Sequence, residues 1–265
     1  MQCQEKNGRD EKTVRNICSL EGKRAIVTGG SKGIGAAIAL GLAEQGADIL
    51  LVARNENKLI RIKNEIEQKG RTCGYIVADL ADPCKVEKVQ QEISKFGNID
   101  IYVNNAAFTI YKTPTETEDS DIEALFDTNF RASVNLVKYV AEAMIQNEKG
   151  GAILFITSIN ALNALPGQAV YSATKAALES IMKSFAAELG PYGIRVNSIA
   201  PGAIHTDMNP HFTPAKMAEM GQRIPLGHVG EPDEIADVAV FMCSPGARYM
   251  TGSTVVVDGG YLLRK

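Results

Sequence analysis

Tyr171 and Lys175 stand four residues apart in Tyr171-Ser172-Ala173-Thr174-Lys175, and Ser158 lies thirteen residues before the tyrosine. Four residues is about one helical turn, so the phenol and the ammonium share a helix face. Free tyrosine has a pKa of about 10, too high for a base at neutral pH. A lysine charge about 4 Å away, at an effective dielectric of about 20, contributes roughly 4 kcal/mol and would bring the phenol down to about 7. That is the working range of an acid–base catalyst. Ser158 ends an apolar run after Thr157, where its hydroxyl can reach a ligand above a sheet edge. An amphipathic helix with a snorkelling lysine gives the same Tyr–Lys spacing. A second motif is needed to tell the two apart.

Thr28-Gly29-Gly30-Ser31-Lys32-Gly33-Ile34-Gly35 supplies it. The segment follows a predicted strand and opens a predicted helix. Glycines permit a tight turn and let the N–H groups between Gly29 and Gly35, those of Ser31, Lys32, Gly33 and Ile34 included, approach a pyrophosphate at a helix N-terminus. Gly35 is expected to let the helix pack closely on the sheet. The spacing is not GxGxxG, and the Gly-Lys-Ser/Thr of a nucleoside-triphosphate loop is missing. A plain tight strand-to-helix connection is the alternative. The next strand ends at Val52-Ala53-Arg54-Asn55, without the carboxylate that would bind ribose hydroxyls and favour NAD. Arg54 and Lys32 instead suit a 2′-phosphate, worth roughly 1.5–3 kcal/mol per charge-assisted bond. The expected cofactor is therefore NADP(H), with NAD(H) as the alternative.

These groups need a scaffold that brings strand ends together. Apolar runs at Arg24–Thr28, Ile49–Val52, Tyr75–Val77, Asp100–Val103, Ala152–Ile156, Ile194–Ile199 and Thr254–Val257 alternate with helical patterns. The predicted helices are 33–45, 55–69, 83–95, 122–146, 168–189 and 232–242. Strands that are apolar throughout are buried on both faces. Alternating strand and helix implies a parallel sheet with right-handed crossovers. The fold class is α/β: one doubly wound, Rossmann-like parallel sheet of about seven strands with helices on both faces. It occupies residues 21–265 after a polar extension at 1–20. Residues 205–230 interrupt the alternation and are expected to form a flap outside the carboxyl ends of the strands, where ligands bind.

The chain has 265 residues, 45% hydrophobic and 22% charged, with a net charge of −3. No basic field exists to attract nucleic acid or an acidic membrane. Cys3, Cys18, Cys73, Cys84 and Cys243 are scattered and odd in number, the pattern of free thiols in a reducing compartment. His205, His211 and His228 have no zinc spacing. The early residues hold no signal-like apolar stretch, and no apolar run is long enough to span a bilayer. A cytoplasmic protein without a metal is expected.

Taken together, these residues resemble the short-chain dehydrogenase/reductase family over roughly Leu20 to Leu262. Thr28 to Gly35 looks like its cofactor turn, Asp79-Leu80 like its adenine contact, and Asn104-Asn105-Ala106-Ala107 like its Asn-Asn-Ala-Gly segment with alanine for the last glycine. Asn129, Ser158, Tyr171 and Lys175 look like the catalytic tetrad. Pro201-Gly202 with Ile204 and Thr206 looks like the nicotinamide cradle, and Val257-Asp258-Gly259-Gly260 like the last strand and its exit. The resemblance implies hydride transfer between NADP(H) and a small-molecule carbonyl or secondary alcohol. Tyr171 would be general acid/base, Ser158 the hydrogen-bond donor to the oxygen, Lys175 the ribose contact, and Asn129 the holder of a proton-resupplying water. It also implies a homotetramer, or a homodimer, formed by the two long helices.

For the substrate, Phe108, Ile110, Tyr111, Asn160, Leu162, Leu165 and Met208 are pocket candidates, and Met208, Phe212, Met217 and Met220 sit in the flap. Methionine-rich surfaces suit irregular apolar ligands, so a hydroxysteroid-type or acyl substrate is one reading. A 3-oxoacyl-carrier-protein reductase and a sugar or polyol dehydrogenase are the others. A non-catalytic NADP-binding redox sensor is the reading from another class, and it would have no need of Tyr171, Lys175 and Ser158 together.

Overall fold

The computed structural model describes residues 16–206 and 213–263. Within them lie seven strands: β1 (Arg24–Thr28), β2 (Asp48–Ala53), β3 (Cys73–Val77), β4 (Ile101–Asn104), β5 (Gly151–Ile156), β6 (Ile194–Pro201) and β7 (Thr254–Val257). Every pairing is parallel, and the order is β3-β2-β1-β4-β5-β6-β7. The chain leaves β3 at one edge and re-enters beside β1 with β4. That reversal opens a crevice at the carboxyl ends of β1 and β4.

The helices are α1 (Gly33–Glu44), α2 (Glu56–Gln68), α3 (Pro83–Phe96), α4 (Asp119–Phe126), α5 (Ala132–Asn147), α6 (Ala169–Leu189), α7 (Pro214–Gln222) and α8 (Pro232–Cys243). Alternation within each strand explains the uninterrupted apolar runs. Ala25, Val27, Ile49, Leu51, Ile101 and Val103 face the layer of α1, α2 and α8. Ile26, Leu50, Val52, Tyr102, Ile153 and Phe155 face α3, α5 and α6. Both faces are covered, so most strand positions are apolar, and the buried polar ones such as Thr28, Asn104, Asn197 and Ser198 are hydrogen-bonded.

The helix expected over 122–146 is two helices joined by a π-helical turn at Asp127–Arg131. Asn129 sits in that turn with its side chain committed to other elements. Those tertiary bonds favour the wider turn, and local propensity does not encode them. The expected flap also contains α7, whose Thr213 side chain caps it through Lys216 N–H (3.3 Å). The ends of the flap are stitched together: His205 N–H donates to the Gly230 carbonyl (2.8 Å) and Gly230 N–H to the Ala203 carbonyl (3.0 Å). Met208 and Phe212 lie outside the described residues.

Residues 17–20 pack against the sheet domain. Leu20 is 1% exposed within the core. Its N–H donates to the Gln45 carbonyl (2.7 Å), and Gly246 N–H donates to the Ile17 carbonyl (2.9 Å). Cys18, Cys73, Cys84 and Cys243 carry free thiols. Among the described residues no helix is long and apolar enough to cross a membrane.

Candidate active site

The glycine turn is built by two side chains from neighbouring strands. Thr28 Oγ1 donates to the Val103 carbonyl (3.2 Å) and accepts from the N–H groups of Asn105 and Ala106 (3.0 and 3.1 Å). Asn105 Nδ2 donates to the Thr28 carbonyl (2.9 Å). This lashing leaves no room for a side chain inside the turn. Gly29 has φ +67°, and a Cβ there would lie 2.6 Å from Asn105 Nδ2. A Cβ on Gly35 would collide with the same amide and with the Gly29 carbonyl. Gly35 is thus required inside the cradle itself, where the sequence reading had placed its contact against the sheet. Lys32 occupies the N-cap of α1, and its side chain makes no capping hydrogen bond. N–H groups at such a helix N-terminus suit an anion.

The resulting cleft, about 460 Å³, is lined by Gly29, Ser31, Lys32, Gly33, Ile34, Gly35, Arg54, Asp79, Leu80 and Asn105 among others. These are the residues that sequence reading assigned to a dinucleotide. Shape and donors fit one: a bare-backbone turn at a helix N-terminus for the pyrophosphate, with cations and the apolar Leu80 in the same lining. Two details are new. Lys58, in the first turn of α2, adds a third cation to the wall. Arg54 is not in an acid-free setting, because Asp79 Oδ2 from the end of β3 approaches its Nη1 to 3.8 Å. Both side chains are largely exposed, so the pair is weak and rearranges readily.

A second cavity of about 310 Å³ adjoins the first and is lined by Ser158, Tyr171, Lys175, Pro201, Gly202, Ile204 and Thr206. Ile34, Asn105, Ala107 and Thr206 border both cavities. Tyr171 (8% exposed) and Lys175 (3%) are buried. Lys175 Nζ donates to the Ile156 carbonyl (2.9 Å) and lies 5.7 Å from the centre of the Tyr171 ring. The phenol is not depressed, as spacing alone had led us to expect. Burial pushes it up to about 12, against a smaller downward pull from its hydrogen bond with Ser158. Burial also pulls the Lys175 ammonium down to about 8, opposed by the charge of Glu179. Loss of water around both groups outweighs their attraction. At neutral pH the phenol therefore holds its proton and can act as a donor.

Ser158 Oγ accepts from Asn160 N–H (3.1 Å) at the start of a short 3₁₀ turn, and its hydroxyl hydrogen-bonds the phenol of Tyr171. Asn129 is completely buried. Its Oδ1 accepts from Phe108 N–H (3.0 Å), and its Nδ2 donates to the Phe108 carbonyl (3.0 Å) and Thr174 Oγ1 (3.3 Å). Thr174 Oγ1 in turn donates to the Tyr171 carbonyl (2.7 Å). The Asn129 side chain thus ties the segment after β4 to the turn of α6 that carries the phenol. It has no donor left over for a water.

The far wall is polar. Gln168, buried just before α6, donates from Nε2 to Thr109 Oγ1 (2.8 Å) and accepts from Asn160 Nδ2 (3.0 Å). Tyr111, Asn160 and Leu165 line this cavity as expected from sequence, and Met220 of the flap joins them. Phe108 borders the cofactor cleft instead, Ile110 borders neither cavity, and Leu162 is turned out to solvent. Thr109, Gln168 and Tyr261 line it without having been anticipated. Gln168 was findable, three residues before Tyr171 at a helix start. Tyr261 was not, since only the packing of the chain end brings it there. Ala107, standing where a glycine is usual, causes no strain: among the described residues Glu148 is the only non-glycine with positive φ.

Residues 29–262 match the family described as Enoyl-(Acyl carrier protein) reductase. The chain is 36% identical over 245 residues to L-rhamnose 1-dehydrogenase (NAD(P)(+)) of Sphingomonas sp., covering 91% of this chain and 96% of that protein. It superposes with TM-score 0.88 and 33% identity on a short-chain type dehydrogenase/reductase from Mycobacterium marinum, covering 94% and 98% of the two chains. The 3-oxoacyl (acyl-carrier-protein) reductase of Agrobacterium tumefaciens C58, solved with NADP bound, gives 0.90 at 29% identity over 96% and 100%.

Proposed function

Since the chain belongs to the short-chain dehydrogenase/reductase family and is an oxidoreductase, we propose that it interconverts a secondary alcohol and a ketone with NADP(H), Tyr171 exchanging the proton. The observation that carries this reading is the shared border: Ile34, Asn105, Ala107 and Thr206 join the glycine cradle to the cavity holding Ser158, Tyr171 and Lys175. A bound NADPH supplies the hydride. The protein does the rest. Tyr171 gives its proton to the carbonyl oxygen, and Ser158 donates a hydrogen bond to the same oxygen, steadying developing charge. Lys175 keeps a positive charge beneath the phenol, which favours the phenolate left behind. Asn129 holds the helix turn that aims Tyr171. In the oxidising direction Tyr171 takes the proton.

Lys32, Arg54 and Lys58 in the lining of the cleft support NADP(H) over NAD(H). The row Thr109–Gln168–Asn160 supports a hydroxylated substrate, because it lines the cavity with hydroxyl and amide groups that can exchange hydrogen bonds with substrate hydroxyls. A panel of sugars, polyols, steroids and 3-oxoacyl thioesters, followed by nicotinamide absorbance, tests both points. Turnover is expected on a hydroxylated compound and faster with the phosphorylated cofactor. No absorbance change with any class would overturn the assignment.

The reading includes a cytoplasmic homotetramer, with a homodimer as the smaller alternative. Ala173, Ala176 and Ser180 form an outward, exposed strip of small side chains on α6, which permits close helix–helix approach between subunits. Solution scattering is expected to give about four times the chain mass; a monomer would exclude this part.

A further inference from the structure

Glu179 is a carboxylate with no task in the reaction described above, yet it is only 7% exposed. It lies one turn beyond Lys175 on α6, and three strands contribute hydroxyls to it. Oε1 accepts from Thr157 Oγ1 (2.5 Å) just past β5, and Ser198 Oγ of β6 reaches both oxygens (3.0 and 2.9 Å). Oε2 accepts from Thr254 Oγ1 of β7 (2.5 Å). Thr157 Oγ1 also reaches the Ile199 carbonyl (2.9 Å) and Ser198 Oγ also reaches Thr254 Oγ1 (2.9 Å), so the hydroxyls form one network around the carboxylate, and hydroxyl donors are what a buried carboxylate requires. Lys175 Nζ, meanwhile, donates to the carbonyl of Ile156, the residue next to Thr157. Anion and cation are thereby fixed to consecutive residues at the end of one strand.

We propose that Glu179 is a positioning residue: a buried counter-anion, clamped by Thr157, Ser198 and Thr254, that keeps Lys175 charged and seated beneath Tyr171. The role of Lys175 rests on the function proposed above; the placement of Glu179 one turn beyond it on α6 does not. Burial alone weakens the hold of Lys175 on its proton, and the Glu179 charge opposes that loss. The other titratable groups around the ammonium are Tyr171 on the same helix and Tyr111 and Tyr261 across the cavity. Burial pushes Tyr171 and Tyr111 up, so both phenols hold their protons at neutral pH. Glu179 is therefore the group that can balance the charge.

A thermal double-mutant cycle tests this without turnover. Lys175→Met, Glu179→Gln and the double variant are melted at pH 7. If the charges support each other, Lys175→Met leaves a buried anion alone, and adding Glu179→Gln restores stability, so the double variant melts at least about 2 °C above the additive sum. Additive losses overturn the proposal. If Glu179→Gln alone fails to fold, a folded double variant supports the pairing and an unfolded one overturns it. A kinetic arm separates charge from scaffold. Glu179→Gln is expected to move the pH profile of kcat/KM down by about one unit, whereas Thr254→Val, which removes one clamp and keeps the charge, leaves its midpoints in place. A lowered rate with an unmoved profile in Glu179→Gln, or an equal shift in both variants, would reduce Glu179 to scaffold. Should the wild type turn over nothing, the proposed function fails while the melting cycle still decides the pairing.

Discussion

Tyr171→Phe is expected to lower turnover by at least about 100-fold while NADPH binds as in the wild type. The substitution removes one oxygen and keeps the ring, so the buried volume around α6 is unchanged. Lys175 retains its bond to the Ile156 carbonyl, and the glycine cradle is untouched. What disappears is the proton donor. Burial holds that hydroxyl at about 12, so it is protonated at neutral pH and ready to act on a carbonyl oxygen. Steady-state rates with the best substrate of the panel, alongside a fluorescence titration with NADPH, separate the two effects. Turnover near the wild-type rate would remove Tyr171 from the reaction, and lost cofactor affinity would show that the phenyl ring had disturbed the cleft.

Asn129→Leu is expected to be the most destabilising single change near the site. Leucine fills similar space but strands the Phe108 N–H and carbonyl, both of which rely on the amide of Asn129. Each stranded group costs about 1–3 kcal/mol. For a domain of this size about 1 kcal/mol moves the melting temperature by about 2–4 °C, so a fall on the order of 10 °C is anticipated in a calorimetric scan. Turnover should fall as well, because Thr174 links the same amide to the backbone of Tyr171. An unchanged melting temperature would mean that water replaces the amide and that the π-helical turn does not depend on it.

The site and the scaffold were legible in the sequence to different degrees. The strands announced themselves because both faces of the sheet are covered, leaving Ala25-Ile26-Val27 or Ile153-Leu154-Phe155 without a polar position. The glycine turn was readable because only glycine fits where Asn105 crosses Thr28. The helix spanning Asn129 was misread as continuous. Its π-helical turn answers to Phe108 and Thr174, which are 21 and 45 residues away, and no helical period contains that information. Arg54 was read without Asp79 for the same reason, as the two meet only through the pairing of β2 with β3.

By itself the sequence determined the chemistry available: a phenol, an ammonium and a hydroxyl on one ordered set of elements, behind a turn that admits a phosphate. Residue type and near-neighbour spacing suffice for that, since helix and strand geometry act over a few residues. Tertiary structure decided how those groups behave. Exclusion of water raised the phenol and lowered the ammonium, reversing the shift of the phenol that spacing alone implied. It also set Gln168, Thr109 and Asn160 in one wall and drew three hydroxyls around Glu179. Desolvation and long-range hydrogen bonds depend on what lies nearby in space, and that is fixed only when the sheet has assembled.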